Sequence, residues 1–189
     1  MWLAALGLLV ANAFFVGAEF ATMSVRRGQV EPRAEAGSKA ARLVIYALEH
    51  MPSMLATLQL GVTVASTSLG AVAESALAHA LTGPIARAGL PHATAHACAA
   101  VIALLAVVYL HVVLGEMVPK NIALTAPDRA ALILTPVLVV LAWLLTPVTA
   151  ALRGIAWVAL KALRVTPKAE VASAFTAVEL AAIVHHSTE

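Results

Sequence analysis

Two carboxylates stand inside stretches that are otherwise apolar: Glu19 within residues 2–25 and Glu116 within residues 93–118. A carboxylate at membrane depth is costly unless it is neutralised, paired or bound to a metal. Oxygen-bearing neighbours accompany them. Ser24 follows Glu19 on the same stretch, and a further apolar block carries Thr63, Ser66, Thr67 and Ser68. The spacing of Thr63, Ser66 and Thr67 puts them on one helical face. Carboxylate, hydroxyl and carbonyl oxygens together suit a hard cation such as Mg²⁺ or Na⁺. Zinc or copper would call for Cys or several converging His, and His79, His92, His96 and His111 fall on different turns and depths. Gly115 precedes Glu116 and Pro119 follows it. A glycine-flanked, proline-broken helix frees carbonyls beside the carboxylate, which is how membrane proteins build ion sites. Counting back from Arg26 puts Glu19 about 10 Å above that charge, and counting back from Lys120 puts Glu116 about 6 Å above that one. Both carboxylates are therefore expected in one inner-leaflet layer. The plainer alternatives are that the hydroxyls serve packing and backbone bonding, and that Glu19 pairs with Lys120 or Arg26.

The elements that must position these groups are membrane helices. Of 189 residues, 61% are hydrophobic and 12% charged, about half the charge of an ordinary soluble domain. The apolar blocks are long enough to cross the hydrocarbon core, and inside lipid such blocks must be helical. They lack the alternation of a β-barrel. The first block, residues 2–25, has no basic stretch before it, and Arg26–Arg27 follow it, so it reads as a helix with its N-terminus outside. Residues 26–50 are charged and cytoplasmic by the same rule, with a short interfacial helix over 34–48. The second block runs from Pro52 to about Leu81, followed by an outside turn at Gly83–Pro84. The third runs over 93–118 and returns inward. The fourth, over 130–163, would place Arg153, Lys161, Arg164 and Lys168 outside if it crossed, against the positive-inside rule. Interrupted by Pro136 and Pro147, it is expected to be a kinked helix lying partly in the inner leaflet, with an ordinary fourth span as the alternative. The lone Cys98 is expected as a small packing residue. The tail, residues 166–189, carries a capping-box pattern at Thr176 and Glu179. A net charge of +2 is too small to argue for nucleic acid. No nucleophile–base arrangement, phosphate loop or zinc motif points to an enzyme.

Three segments carry a family resemblance: Asn12-Ala-Phe-Phe-Val-Gly-Ala-Glu19 onward to Ser24-Val-Arg-Arg27, Leu58-Gln-Leu-Gly61-Val-Thr63-Val-Ala-Ser66-Thr-Ser68-Leu-Gly70, and Gly115-Glu-Met-Val-Pro-Lys120. Together they resemble the transmembrane domain of the CorC/CNNM magnesium transporters, haemolysin-related proteins with paired CBS domains. The resemblance covers nearly the whole chain. It implies an all-α membrane protein of three transmembrane helices plus short interfacial helices and a belt-like juxtamembrane helix. It also implies a homodimer in the cell inner (plasma) membrane. Residues 1–165 would form the transmembrane domain. Residues 166–189 would begin a linker to a CBS pair that these residues do not include, and ATP would act only through that pair. The implied activity is Mg²⁺ export, with Na⁺ entry as the coupling and alternating access as the mechanism. The alternative is a Mg²⁺ sensor that regulates other transporters. Carried over residue by residue, the Mg²⁺ ligands would be Glu116 with Ser24, Ser66 and Ser68, then the Gly115 carbonyl and Glu19. A Na⁺ site would lie around Asn12, Glu19 and Thr63. This chain departs from many members in carrying Ser66 where they have Asn.

Overall fold

The structure, a computed structural model, describes residues 1–89 and 91–162. The tail with its capping-box pattern lies outside the described residues. Among the described residues all regular structure is helical: α1 (Trp2–Ser24), α2 (Arg27–Glu35), α3 (Lys39–Glu49), α4 (Met51–Arg87), α5 (His92–Leu110), a π-helical segment (His111–Met117), α6 (Val118–Thr125) and α7 (Pro127–Ala162). Among the described residues four helical stretches are long and apolar enough to cross a membrane: α1, α4, the continuous His92–Thr125 and α7. That is one more than the three spans expected. The chain is a multi-pass membrane protein.

Several expected boundaries move, each for a local reason. The interfacial helix expected over 34–48 is two helices, because Gly37 adopts a φ of +95°, which an L side chain rarely takes. Ser38 caps the second, its Oγ accepting from the Ala41 amide at 3.3 Å. Arg27 holds α2 to α3, reaching Glu31 and Glu49 at 3.1 Å each. Glu31, by hydrogen bond and charge, and then Glu49 raise the Arg27 pKa above its ordinary value. The turn expected at Gly83–Pro84 falls later, at Gly89, whose φ is +99°. Pro84 lies inside the last turn of α4, which runs on to Arg87. Pro119 stands at the start of α6 without interrupting the continuous His92–Thr125 stretch. The α4 stretch Gly61–Gly70 is regular α-helix.

Packing follows small residues. The buried stripe of α5 is Ala95, Ala99, Ala103 and Val107, spaced by four. Val107 meets Leu69 and Ala73 of α4 and Ala5 of α1. Such stripes let membrane helices approach closely. Cys98 is off this stripe and exposed, so it is not the packing residue expected. The opposite face of α5 presents Val101, Ile102, Leu105, Val108 and Tyr109 outward, as a lipid-facing helix does. On α4, Gly61 takes the ring of Phe15 so closely that a Cβ there would lie 2.4 Å from it.

Helix α7 first follows α1 and then crosses α4. Leu134 packs on Gly17, Thr135 meets Thr22 by a 3.3 Å hydroxyl–hydroxyl hydrogen bond, and Leu138 joins Ala18, Met54 and Leu58 in one core. Leu145 and Val148 line a groove with Leu8, Phe15 and Gly61. Thr149 and Arg153 line another with Gln59 and Thr63. From Leu138 to Ala156, about 27 Å of helix, α7 thus stays against about 16 Å of α4. The two helices cross obliquely. Trp143 and Asp128 tie α7 to the charged segment, through Nε1 donating to the Tyr46 hydroxyl at 3.3 Å and an ion pair with Arg33 at 3.4 Å.

Candidate cation site on a π-helical segment

The helix bearing Glu116 changes winding where the carboxylate sits. On an α-helix, residues five apart point about 140° away from each other. In the π arrangement residue i lies against residue i+5. Residues His111 and Glu116 are five apart, and the winding brings His111 Nε2 to 3.6 Å from Glu116 Oε1. Gly115 is what lets this segment pack. A Cβ there would lie 2.8 Å from His111 Cδ2, 3.0 Å from Asn12 Nδ2 and 3.2 Å from Leu9 Cδ1.

From α1, Asn12 completes the cluster. It is fully buried, and its Nδ2 donates to the Gly115 carbonyl at 2.9 Å. Its Oδ1 therefore turns the other way, and it is buried without a partner, as is His111 Nε2. Two orphaned polar atoms, one on the segment that bears Glu116 and one on the side chain packed against it, need an explanation, since buried polar groups are almost always satisfied. The carboxylate itself is not sealed in: the His111 side chain is 19% exposed and that of Glu116 48%. Among the described residues no three His, Cys, Asp or Glu side chains converge. Any cation held here would rest on mixed donors.

The other expected ligands distribute as follows. Gly115 and Glu116 are together, with Asn12 against them. Ser66 lies on α4 between Gly61, which meets Phe15, and Leu69, which packs with Ala5, at about the level of Leu9, while Thr63 is the α4 residue nearer the level of Asn12. Its Oγ donates to the Thr63 carbonyl at 3.2 Å, and Thr63 Oγ donates to the Gln59 carbonyl at 2.7 Å, both within α4. Ser68 lies half a turn beyond Ser66 and is partly buried. Ser24 is the last residue of α1, about 18 Å along the helix from Asn12. Glu19 is about 10 Å along from Asn12, so the two carboxylates do not share a layer. The expected common layer assumed that the helix ends near Lys120. It continues to Thr125, which moves Glu116 deeper. Among the described residues Glu19 forms no ion pair, and Lys120 places its Nζ 4.5 Å from the centre of the Phe20 ring.

His111 is the residue that sequence reasoning missed. Its partnership with Glu116 is invisible to a spacing rule of three and four. The signal that would find it is a histidine five residues before a carboxylate in a helix with a glycine between them.

Comparison with known proteins adds the lineage. The family model of the cyclin M transmembrane N-terminal domain matches residues 3–189. The uncharacterized protein Rv1841c of Mycobacterium tuberculosis is 45% identical over 185 residues, covering 98% of this chain and 52% of that protein. The protein YhdT of Bacillus subtilis is 35% identical over 133 residues, covering 68% of this chain and 28% of that protein. The chain thus spans about half the length of the mycobacterial relative. The segments around Asn12, Ser66 and Gly115–Lys120 all fall inside the matched region, and the chain belongs to the CorC/CNNM family through its cyclin M transmembrane N-terminal domain.

Proposed function

We propose that this chain is the membrane part of a Mg²⁺ exporter that works by alternating access and is driven by Na⁺ entry. The observation that carries the reading is Glu116 on a π-helical segment, beside the buried and half-satisfied Asn12. A carboxylate on an irregular turn, deep in an apolar helix, offsets part of the cost of stripping water from a small divalent cation. Glu116 is the anionic ligand, with the Gly115 carbonyl beside it in sequence and Ser66 as an oxygen donor from α4. Ser68 is a further oxygen on α4. Ser24 and Glu19 line the way toward the cytoplasmic end. The Na⁺ site is around Asn12 and Thr63.

The same reading orients the chain. The N-terminus lies outside, α1, α4 and His92–Thr125 span, and α7 is the belt. The oblique crossing of α7 over the first half of α4 supports this. It sets Arg153 beside Gln59 and Thr63 in the first half of α4, the half nearer Arg26 and Arg27 in this reading, as the positive-inside rule asks. The protein would work as a homodimer in the plasma membrane, with ATP control residing in CBS domains outside these residues.

The test is Mg²⁺ flux from proteoliposomes, with and without a Na⁺ gradient, for the chain and its Glu116→Ala variant. Flux that needs both the gradient and Glu116 is expected. Flux retained by the variant would overturn the site. Binding without flux would favour a Mg²⁺ sensor over a transporter.

A further inference from the structure

Two grooves between α4 and α7 meet at Leu60, which lines both, and they differ in character. The first, about 390 Å³, has Gln59 of α4 facing Leu152 and Arg153 of α7. The second, about 400 Å³, is lined by apolar residues only, among them Val64 of α4, Leu145 and Val148 of α7 and Leu8 of α1. Among the described residues Arg153 is the one charged side chain on either lining. Its Nε donates to the Thr149 carbonyl at 3.4 Å, and its terminal nitrogens have no partner among the described residues. A guanidinium presents its donors as a planar fork that matches a phosphate. We propose that the joined grooves hold one anionic phospholipid, its phosphate on Arg153 and Gln59 and one acyl chain along Leu60, Val64 and Val148.

The depth suits this occupant. Helix α4 has 37 residues, about 55 Å of helix against about 30 Å of hydrocarbon. Shared between the two ends, the excess is about 12 Å at each, and Gln59 stands about 12 Å along α4 from Met51. The polar groove therefore falls at the hydrocarbon boundary nearest Met51, where lipid phosphates lie. The apolar groove runs inward from it, its α4 lining shifting from Ala56 and Gln59 to Val64 and Ala65. On α7, Arg153, Trp157 and Lys161 follow one another at helical spacing on one face. Trp157 is exposed, and Lys161 Nζ lies 5.0 Å from the centre of its ring. Tryptophan beside basic side chains is the usual company of lipid headgroups. A zwitterionic lipid carries its own cation next to the phosphate, so Arg153 favours a headgroup of net negative charge. None of the proposed Mg²⁺ ligands lines either groove, so the lipid site stands apart from the cation site.

The experiment is native mass spectrometry of the full chain in detergent, titrated with phosphatidylglycerol and, separately, with phosphatidylcholine of the same acyl chains. Wild type is compared with Arg153→Gln, Arg153→Met, Val148→Trp and Val64→Trp, each accepted once its melting matches wild type. Arg87→Gln is the control. Arg87 bonds the carbonyl four residues back in the same way, at the other end of α4, and lines neither groove. The expected result is a wild-type preference for phosphatidylglycerol of about fivefold or more. The Arg153 variants lose that preference and keep weak binding of both lipids. The tryptophan variants fill the apolar groove and weaken both lipids, and Arg87→Gln behaves like wild type. A preference retained without Arg153, or lowered equally by Arg87→Gln, overturns the proposal in favour of diffuse surface charge. Displacement of phosphatidylglycerol by inorganic phosphate alone overturns it in favour of a free-phosphate site. A lipid-free dimer that the tryptophan variants split overturns it by giving the groove to a second copy. Mg²⁺ binding by the same samples is read separately, so the lipid site can fail while the cation site stands.

Discussion

Replacing Gly115 by alanine tests the packing that holds the site. The added methyl would sit 2.8 Å from His111 Cδ2 and 3.0 Å from Asn12 Nδ2, both closer than an ordinary carbon contact. Something must move by about half an ångström to restore normal contact. Asn12 is fully buried and its Nδ2 is bonded to the carbonyl of the same glycine. Overpacking of this kind costs about 1–3 kcal/mol, and loss of the hydrogen bond adds about 1 kcal/mol. For a chain of this size, a total of about 2–4 kcal/mol lowers the melting temperature by roughly 5–15 °C. The assay is thermal unfolding in detergent, with Mg²⁺ titration of the same sample. Lower stability and weaker binding together are the expected result. A variant that melts and binds like wild type would refute the claim that Gly115 is there to admit Asn12 and His111.

Other contacts make smaller, separable predictions. Thr22→Val should destabilise the α1–α7 contact by about 0.5–1.5 kcal/mol, because it removes a 3.3 Å hydroxyl pair. Adding Thr135→Val should cost less than the sum of the two single changes, as read by a double-mutant cycle in unfolding. Gly61→Ala should cost about 1–2 kcal/mol in the same assay, since the Phe15 ring occupies the space of the methyl. Arg33→Ala, which breaks an exposed ion pair with Asp128, should change stability by less than about 1 kcal/mol and lose that effect in high salt.

The helical membrane architecture was readable because block length and charge placement are governed by the bilayer itself. Glu116 was readable for the same reason, a charge standing where lipid does not tolerate one without cause, with Gly115 and Pro119 flanking it. Asn12 entered as a guess about Na⁺ and emerges as the clamp on the Gly115 carbonyl. What could not be read is the winding of a helix. The proline at 119 looks like a break, yet it starts a regular turn, and the departure from α geometry lies just before it. The π segment pairs residues five apart, beyond the reach of a three-and-four spacing rule, and a helix end at Lys120 would set Glu116 shallower than the stretch that runs on to Thr125. The relation of α7 to α4 is likewise a matter of crossing angle, which composition does not encode. Its two internal prolines leave one continuous helix.

The central claim is that Glu116, on its π-helical turn, holds the cation. The most direct measurement is equilibrium Mg²⁺ binding to the purified chain and to Glu116→Gln, a variant that keeps the side chain's shape and removes its charge. The account predicts saturable Mg²⁺ binding that falls at least about tenfold in the variant while the melting temperature is preserved. Equal binding by the two proteins would contradict it and move the site elsewhere in the membrane domain.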